Sequence, residues 1–203
     1  MPTADQQPAQ SDSAAGPERA QRMPRAQRRA QILEAATRAF ARTGFAATGL
    51  DQVAAEAGVT HVILYRHFAS KSDLYRAALD RACTRLTDAV GIDDYDENSI
   101  PTLLRAAAAD PDGFRLLFRH AAREPEFRDV IDSLRTESTD IAARNVADVI
   151  PEGPWRDWAA RLLPTLTLEA VIAWLDAGRP DPDRAAERIA HAVHAVIDAA
   201  RTE

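Results

Sequence analysis

The chain has 203 residues and a mass of 22.2 kDa, enough for one large or two small domains with an ordinary hydrophobic core. Because Cys83 is the only cysteine, an intramolecular disulfide framework and a cysteine-rich metal site are excluded. The net charge is −6, but residues 19–71 hold nine Lys and Arg against three Asp and Glu, a balance of +6. The remaining residues total −12, so only the N-terminal part has a charge that suits phosphate groups.

The first 24 residues are rich in Gln, Ser, Pro and Ala and contain no apolar run, which predicts a disordered tail rather than a signal peptide. No run of about eighteen consecutive apolar residues follows, so no membrane partner is expected. The expected location is therefore the cytoplasm.

Apolar positions at helical spacing and capping residues predict four helices in the N-terminal half. These helices are expected at residues 25–43, 50–57, 61–68 and 71–90. Gly44, Gly58 and Gly91 are expected to end the first, second and fourth helices, because a helix often ends at a residue with positive φ and glycine adopts that conformation most easily. The side chains expected to cap the starts of the second, third and fourth helices are those of Thr48, Thr60 and Ser70.

Residues 50–71 combine two short helices around a glycine turn, which is the pattern of a helix-turn-helix. Ala54 and Gly58 are four residues apart, and small residues there let the second helix cross the first closely. The apolar contacts between the helices are expected from Val53, Ala57, Val59, Leu64 and Phe68. The candidate outward side chains are Thr60, His61, Val62, Ile63, Tyr65, Arg66 and His67. Nucleic-acid binding is therefore the first hypothesis.

Five further helices are expected in the C-terminal half, at about residues 100–109, 112–123, 126–149, 154–177 and 181–201, which makes about nine in all. Residues 162–175 carry a single charge, so nearly the whole circumference of that helix favours burial. The last helix has small apolar residues that allow close contact with a partner helix. We therefore expect the last two helices to pair with their copies in a homodimer, as a four-helix interface.

The N-terminal sequence resembles the DNA-binding domain of the tetracycline-repressor (TetR) family of transcriptional regulators. The residues that carry the resemblance are Ile32 to Ala36, Phe40, Gly44-Phe45, Val53 to Val59, Leu64 to Phe68 and Ser70 to Leu74. The resemblance implies an all-α protein with a three-helix helix-turn-helix DNA-binding domain at 25–70 and a helical ligand-binding and dimerisation domain at 71–203. The second domain is similar in layout only, with residues 174–180 like the family's late turn. One departure is His61-Val62-Ile63, where many relatives have a lysine, glycine or small residue.

The resemblance also implies a homodimeric regulator, usually a repressor, that binds an inverted-repeat operator in double-stranded DNA and is released by an apolar small molecule. No cofactor is expected. Two other classes remain open, a nonspecific DNA-binding or adaptor protein and a helical enzyme, although the sequence has no HExxH motif, phosphate loop or nucleophile elbow. His191 and His194 could ligate a metal together, but a position beside the dimer interface is favoured and no metal site is predicted.

With the third helix in the major groove, Thr60, His61 and Arg66 are expected near base edges, where an arginine can bond both acceptors of a guanine. Val62 is expected against a thymine methyl group. The phosphate contacts are expected from Thr48, Tyr65, His67 and Lys71, with Arg25, Arg28 and Arg29 as further candidates.

The candidate ligand-binding residues are Cys83, Phe114, Phe118, Trp158, Thr165 and Trp174, of which the aromatic members could equally be core residues. Pro164 lacks an N–H and predicts a kink beside Thr165. The fourth helix begins with Lys71 and carries Cys83 near the expected pocket. A ligand that shifts this helix would therefore move the helix-turn-helix and change its affinity for DNA.

Overall fold

A computed structural model describes residues 23–91 and 95–201. Within these two ranges the regular structure is entirely helical, which confirms the all-α prediction. The tail expected at 1–24 lies outside the described residues, except for its last two. The helices of the N-terminal half are α1 (Arg25–Ala47), α2 (Leu50–Glu56), α3 (His61–Tyr65) and α4 (Lys71–Val90). Those of the C-terminal half are α5 (Ser99–Ala109), α6 (Pro111–Arg115), α7 (Arg128–Asn145), α8 (Pro154–Asp176) and α9 (Pro182–Arg201).

The caps predicted for α3 and α4 are both present. The Thr60 hydroxyl accepts a hydrogen bond from the Ile63 N–H at 3.3 Å. The Ser70 hydroxyl accepts from the Asp73 N–H at 3.0 Å, and the Asp73 carboxylate accepts from the Ala69 N–H at the same distance. These bonds satisfy amides that the first turn of a helix leaves unpaired. α3 is shorter than predicted, because its fifth residue is followed by a turn rather than by more helix.

The cap predicted for α2 is wrong. Gly49, which has no side chain to offer, is the residue that precedes the helix. The Thr48 hydroxyl points back toward the end of α1, where it donates to the Gly44 carbonyl oxygen at 2.7 Å and lies 2.7 Å from the Thr43 hydroxyl. Thr48 is therefore a buried link between α1 and α2, with 1% of its surface exposed.

The helix predicted over 112–123 is divided into three parts. After α6 comes a π-helix at Leu116–His120, and a 3₁₀ turn follows at Ala121–Arg123. A π-helix closes its hydrogen bonds one residue further along the chain than an α-helix does, so it changes the direction of the side chains beyond it. Apolar spacing gave no signal for this change.

The helix predicted over 126–149 begins and ends differently in the structure. A 3₁₀ turn occupies Pro125–Phe127, and α7 starts only after it. At the other end the Asn145 side chain donates to the Ile141 carbonyl oxygen at 2.9 Å, and the regular helix stops there. The gap before α8 is therefore longer than expected.

One hydrophobic core joins the N-terminal helices to the C-terminal half. It contains Phe40 of α1, Leu64 of α3 and Tyr75 of α4, together with Leu117 and Phe127 from the segments after α6. A second core lies between α5, α6, α8 and α9. Because the first core extends across residue 70, the helix-turn-helix is packed against the rest of the protein rather than attached by a free linker.

The turn between α2 and α3 requires glycine for its backbone conformation rather than for space. Gly58 has φ +61°, and a Cβ atom there would meet no atom within 4 Å. We therefore expect Gly58→Ala to lower the free energy of unfolding by about 1 kcal/mol, and Gly58→Asn to lower it less, because asparagine tolerates positive φ better. Urea unfolding of the two variants tests this. An equal loss from both would indicate that the conformation is not the constraint.

Candidate nucleic-acid interface

α3 has one buried face and one exposed face. Leu64 is fully buried in the first core, whereas 63% of Val62 and 49% of Tyr65 are exposed. The exposed side chains of α3 and its flanking residues are Thr60, His61, Val62, Tyr65 and Arg66. These are five of the residues predicted to meet DNA. They form the exposed surface of α3 and its flanking residues, because the helical period places Leu64 on the buried face and these side chains away from it.

The position of α2 is fixed by polar contacts to α1. The Gln31 amide donates to the Ala57 carbonyl oxygen at 2.8 Å, at the end of α2. Arg38 and Arg42 both pair with Glu56, and the Arg38 contact is 2.8 Å. The Arg42 guanidinium lowers the pKa of the Glu56 carboxyl, which keeps it ionised. These contacts hold α2 against α1.

His61 is held between two neighbours on the exposed face. Its Nε2 lies 3.6 Å from the Asp51 carboxylate of α2, which is too long for a hydrogen bond. Its ring meets the Tyr65 ring edge to face, with centroids 4.8 Å apart. Asp51 was not predicted as a site residue, because its spacing from His61 crosses the turn. These contacts orient the imidazole at the start of α3.

A group of arginines surrounds His67 at the end of α3. Burial lowers the pKa of His67, and Arg25, Arg29 and Arg28 lower it further. The Arg29 guanidinium also lies over the Phe68 ring, 4.3 Å from its centroid. The arginines predicted as further phosphate contacts are therefore brought to the same side of the molecule as α3, where they produce a local positive field.

Two predicted phosphate contacts have internal partners. The Thr48 hydroxyl is buried as described above, so the prediction that it bonds a phosphate is wrong. The Lys71 ammonium donates to the Ala46 carbonyl oxygen at 3.2 Å and lies 4.6 Å from the centroid of the Phe45 ring. Lys71 is half-buried and retains two further donors, so its phosphate contact remains a prediction.

The six predicted ligand-binding residues do not form one cavity. The Phe114 and Phe118 rings are tilted against each other with centroids 4.7 Å apart, and Phe118 packs against both the first and second cores. Cys83 is half-buried beside the first core, and burial raises the pKa of its thiol. Trp174 is a core residue whose indole N–H donates to the Pro180 carbonyl oxygen at 2.6 Å.

Trp158 and Thr165 lie elsewhere, on the exposed side of α8. Both line a shallow groove of about 520 Å³, whose lining does not include Phe114 or Phe118. Trp158 meets Trp155 edge to face at 5.8 Å, and the Thr165 hydroxyl donates to the Arg161 carbonyl oxygen of its own helix at 3.0 Å. The six residues therefore lie on separate surfaces, and the contact of any of them with a ligand stays a prediction. Apolar spacing identified apolar surfaces but could not tell which of them face each other.

Within residues 23–91 and 95–201 no three or more His, Cys, Asp and Glu side chains are grouped to hold a metal ion. His194 instead contacts the Ala190 carbonyl oxygen of its own helix through Nδ1 at 2.9 Å. A further histidine, His120, reaches α1 with its ring. No local signal in the sequence indicates that contact.

The chain is similar to known regulators over most of its length. Residues 32–78 match the family described as bacterial regulatory proteins, tetR family. The chain is 32% identical over 189 residues to the HTH-type transcriptional activator FasR of Mycolicibacterium smegmatis. The alignment covers 86% of this chain and 84% of that protein. It is 38% identical over 91 residues to an HTH-type transcriptional repressor of Streptomyces coelicolor, covering 44% of this chain and 47% of that protein.

The fold is also similar to solved structures. A TetR-like transcriptional regulator from Rhodococcus sp. RHA1 superposes with a TM-score of 0.72 at 23% identity, covering 83% of this chain and 94% of the other. A TetR-family regulator of Streptomyces coelicolor superposes with a TM-score of 0.59 at 27% identity, covering 86% and 96% of the two chains. The similarity in fold thus extends through both halves of the chain.

The surroundings of His67 predict that DNA binding takes up a proton. The pKa of His67 lies below its ordinary value of about 6.5 in the free protein, and a nearby phosphate would favour the protonated form. We therefore expect affinity for duplex DNA to rise as the pH falls through the pKa of His67 in the complex, with the gain ending once the pH is below the lowered pKa of the free protein. Binding isotherms at constant salt measure this change. His67→Gln is expected to flatten the profile relative to the wild-type chain, and an unchanged slope would exclude His67 as its source.

Proposed function

Because the chain belongs to the tetR family of bacterial regulatory proteins, we propose that it is a homodimeric, ligand-responsive repressor that binds an inverted-repeat operator. The family consists of transcriptional regulators, and the enzyme alternative is set aside on that ground. The observation that carries the proposal is the exposed face of α3, with His61, Val62 and Arg66 side by side, next to the arginines around His67. Such a face combines groups that read bases with charges that bind phosphates.

The dimer is supported by one face of α8. At 100° per residue, Trp155, Trp158, Leu162, Leu166 and Ala173 fall within roughly 80° of one another around the helix. Trp155 is 60% exposed and Trp158 is 40% exposed, while the two leucines are half-buried and the alanine is exposed. A row of this kind on a single chain is typical of a surface that is covered by a partner.

An interface helix also accounts for the apolar composition of α8. By length and composition α8 could cross a membrane, but its other face packs in the second core and, through Ala159 and Leu163, in a third core with Ile150 and Ala200. Pairing with a second copy would bury the remaining face without a membrane. We expect the protein to act in the cytoplasm, where its DNA would be located.

Two copies related by a two-fold axis would present two α3 helices to one duplex. Each α3 would enter a major groove, so the two half-sites should be inverted with respect to each other. Their centres should lie about one helical turn apart, roughly 34 Å, or a multiple of that distance. The same symmetry would double the number of phosphate contacts.

The ligand is expected beside Phe118 rather than beside Trp158. Phe118 and Leu86 of α4 both pack against the first and second cores, so they lie where those cores meet. An apolar molecule inserted there would move α4 relative to α5 and α6, and α4 begins at the helix-turn-helix. Differential binding of the ligand would lower operator affinity by a coupling of about 1–3 kcal/mol.

Activation is the second candidate, because the relative from Mycolicibacterium smegmatis is named an activator. Repression and activation differ in where the operator lies relative to a promoter. The protein's own residues do not determine that position. In vitro transcription from a promoter fragment carrying the bound sequence, with and without the protein, distinguishes them. Less transcript supports repression, and more transcript supports activation.

Selection of bound sequences from random duplex DNA tests the function itself. The full chain is expected to enrich one inverted repeat, and compounds can then be screened for release of that repeat. Binding without enrichment would support a nonspecific DNA-binding protein, and no binding would support an adaptor. Because several phosphates should be contacted, affinity for the selected repeat should fall steeply with salt.

Substitutions on α3 should separate base reading from phosphate binding. Tyr65→Phe is expected to weaken binding to the selected repeat and to unrelated DNA by a similar factor, because a phosphate contact carries no sequence information. Arg66→Ala and His61→Ala should instead relax the preference at individual base pairs, with a loss of about 1–3 kcal/mol for the selected repeat. Competition binding against single-base variants measures both effects. A uniform loss from Arg66→Ala would contradict its assignment as a base-reading residue.

Leu166→Glu tests the role of α8 in the dimer. A carboxylate in a buried apolar interface loses its hydration without gaining a partner, so we expect the dimer to dissociate at least tenfold more readily. Sedimentation equilibrium measures the change in dissociation constant. Arg128→Glu introduces an acid at an exposed position on α7 and is expected to leave the constant unchanged. Equal behaviour of the two variants would place the interface elsewhere.

A further inference from the structure

His120 connects the C-terminal half to the end of α1. It is the last residue of the π-helix at Leu116–His120, and its Nε2 lies 2.9 Å from the Ala41 carbonyl oxygen. Because a carbonyl oxygen can only accept, Nε2 must carry the proton and donate it. The sequence separation is 79 residues, so the bond joins two parts of the fold that are distant in the chain.

The acceptor lies where the regular bonding of α1 is interrupted. In an unbroken helix the Ala41 oxygen would accept from the N–H of Phe45, four residues later. Gly44 has φ 77° and ψ 176°, far from helical values, and it stands between the two residues. The last carbonyls before a helix break need partners from elsewhere, and His120 supplies one.

The imidazole also fits closely against the glycine of the break. A Cβ atom at Gly44 would stand 3.2 Å from His120 Nδ1, closer than ordinary contact. Burial lowers the pKa of His120, Arg119 and Arg123 lower it further, and the Ala41 bond and Glu124 raise it. With Nε2 protonated for Ala41, the neutral ring leaves Nδ1 as a bare acceptor facing the glycine.

The segment that His120 holds leads directly into the helix-turn-helix. The Gly44 carbonyl oxygen accepts from the Thr48 hydroxyl, and the Ala46 carbonyl oxygen accepts from the Lys71 ammonium. α2 begins immediately after Thr48 and Gly49. Residues 41–48 therefore determine where α2 starts. His120, from the C-terminal half, contacts this segment beside the break in α1 at Gly44.

We propose that His120 is a positioning residue for the helix-turn-helix. Its Nε2–H caps the Ala41 carbonyl oxygen and thereby fixes the segment from which α2 starts. The effect on operator binding rests on the proposed function, whereas the cap itself does not. The π-helix determines where the ring points, because its extra residue per turn rotates position 120 relative to a continuous α-helix. The cap is complete only when that turn and the break in α1 face each other.

Matched amides at position 120 distinguish a cap from simple packing. A glutamine amide nitrogen occupies the place of His Nε2, and an asparagine amide nitrogen occupies that of Nδ1. His120→Gln should therefore retain the bond to Ala41, whereas His120→Asn and His120→Ala should lose it. Thr136→Ala removes an exposed hydroxyl whose hydrogen bond stays within α7, and serves as the control.

The first readout is amide hydrogen exchange of the full chain without DNA. We expect exchange across residues 42–48 to be faster by about three- to tenfold in the Asn and Ala variants, and near wild type in the Gln and control variants. If Gln and Asn behave alike, or if no variant alters these amides, the cap is excluded. This readout is independent of whether the protein binds DNA.

The second readout is binding to the inverted repeat that the wild-type chain enriches from random duplex DNA. Affinity is expected to fall about three- to tenfold for Asn and Ala, with Gln restoring it. Altered exchange with unaltered affinity would overturn the positioning role while leaving the cap. If the wild-type chain enriches no sequence, the proposed function and the positioning role both fail, and exchange alone decides the cap.

Discussion

The packing of Tyr75 against three phenylalanine rings determines how the helix-turn-helix is attached to the rest of the protein. Its ring centroid lies 4.8 Å from that of Phe40, 5.0 Å from that of Phe45 and 4.6 Å from that of Phe127. These residues come from α1, α4 and the turn before α7, so one aromatic cluster joins both halves. The Tyr75 hydroxyl is buried without a hydrogen-bond partner, and burial raises its pKa. A buried hydroxyl without a hydrogen bond lowers the free energy of unfolding by about 1–3 kcal/mol, so the packing of the rings must more than offset that loss.

This attachment has a consequence for regulation. Because α1 and α4 share a core with the segments after α6, a change in the C-terminal half is transmitted by packed side chains rather than lost in a linker. The Arg76 side chain reinforces the contact, since it pairs with Asp129 at 2.7 Å and donates to the Glu126 carbonyl oxygen at 3.1 Å. Under the proposed function, a ligand would therefore move the helix-turn-helix as a unit.

The sequence predicted the parts of the protein that depend on near neighbours. The Thr60 and Ser70 caps and the ends of α4 and α8 are set within a few residues, and they agree with the structure. The errors concern contacts between distant segments. Threonine commonly caps helices, but the Thr48 hydroxyl instead donates to the Gly44 carbonyl oxygen at the break in α1. The six expected ligand-binding residues are divided among separate surfaces. The exposed face of α3 could be predicted because one short helix carries it, whereas the Asp51 contact to His61 and the His120 contact to α1 depend on tertiary packing.

A hydroxyl-radical footprint on the enriched DNA tests most directly whether two copies of α3 read one duplex across a two-fold axis, as we propose. We expect two protected regions on each strand, related by inversion, with centres about one helical turn or a multiple of it apart. A single protected half-site, or uniform protection along the duplex, would show that two copies do not bind in this way.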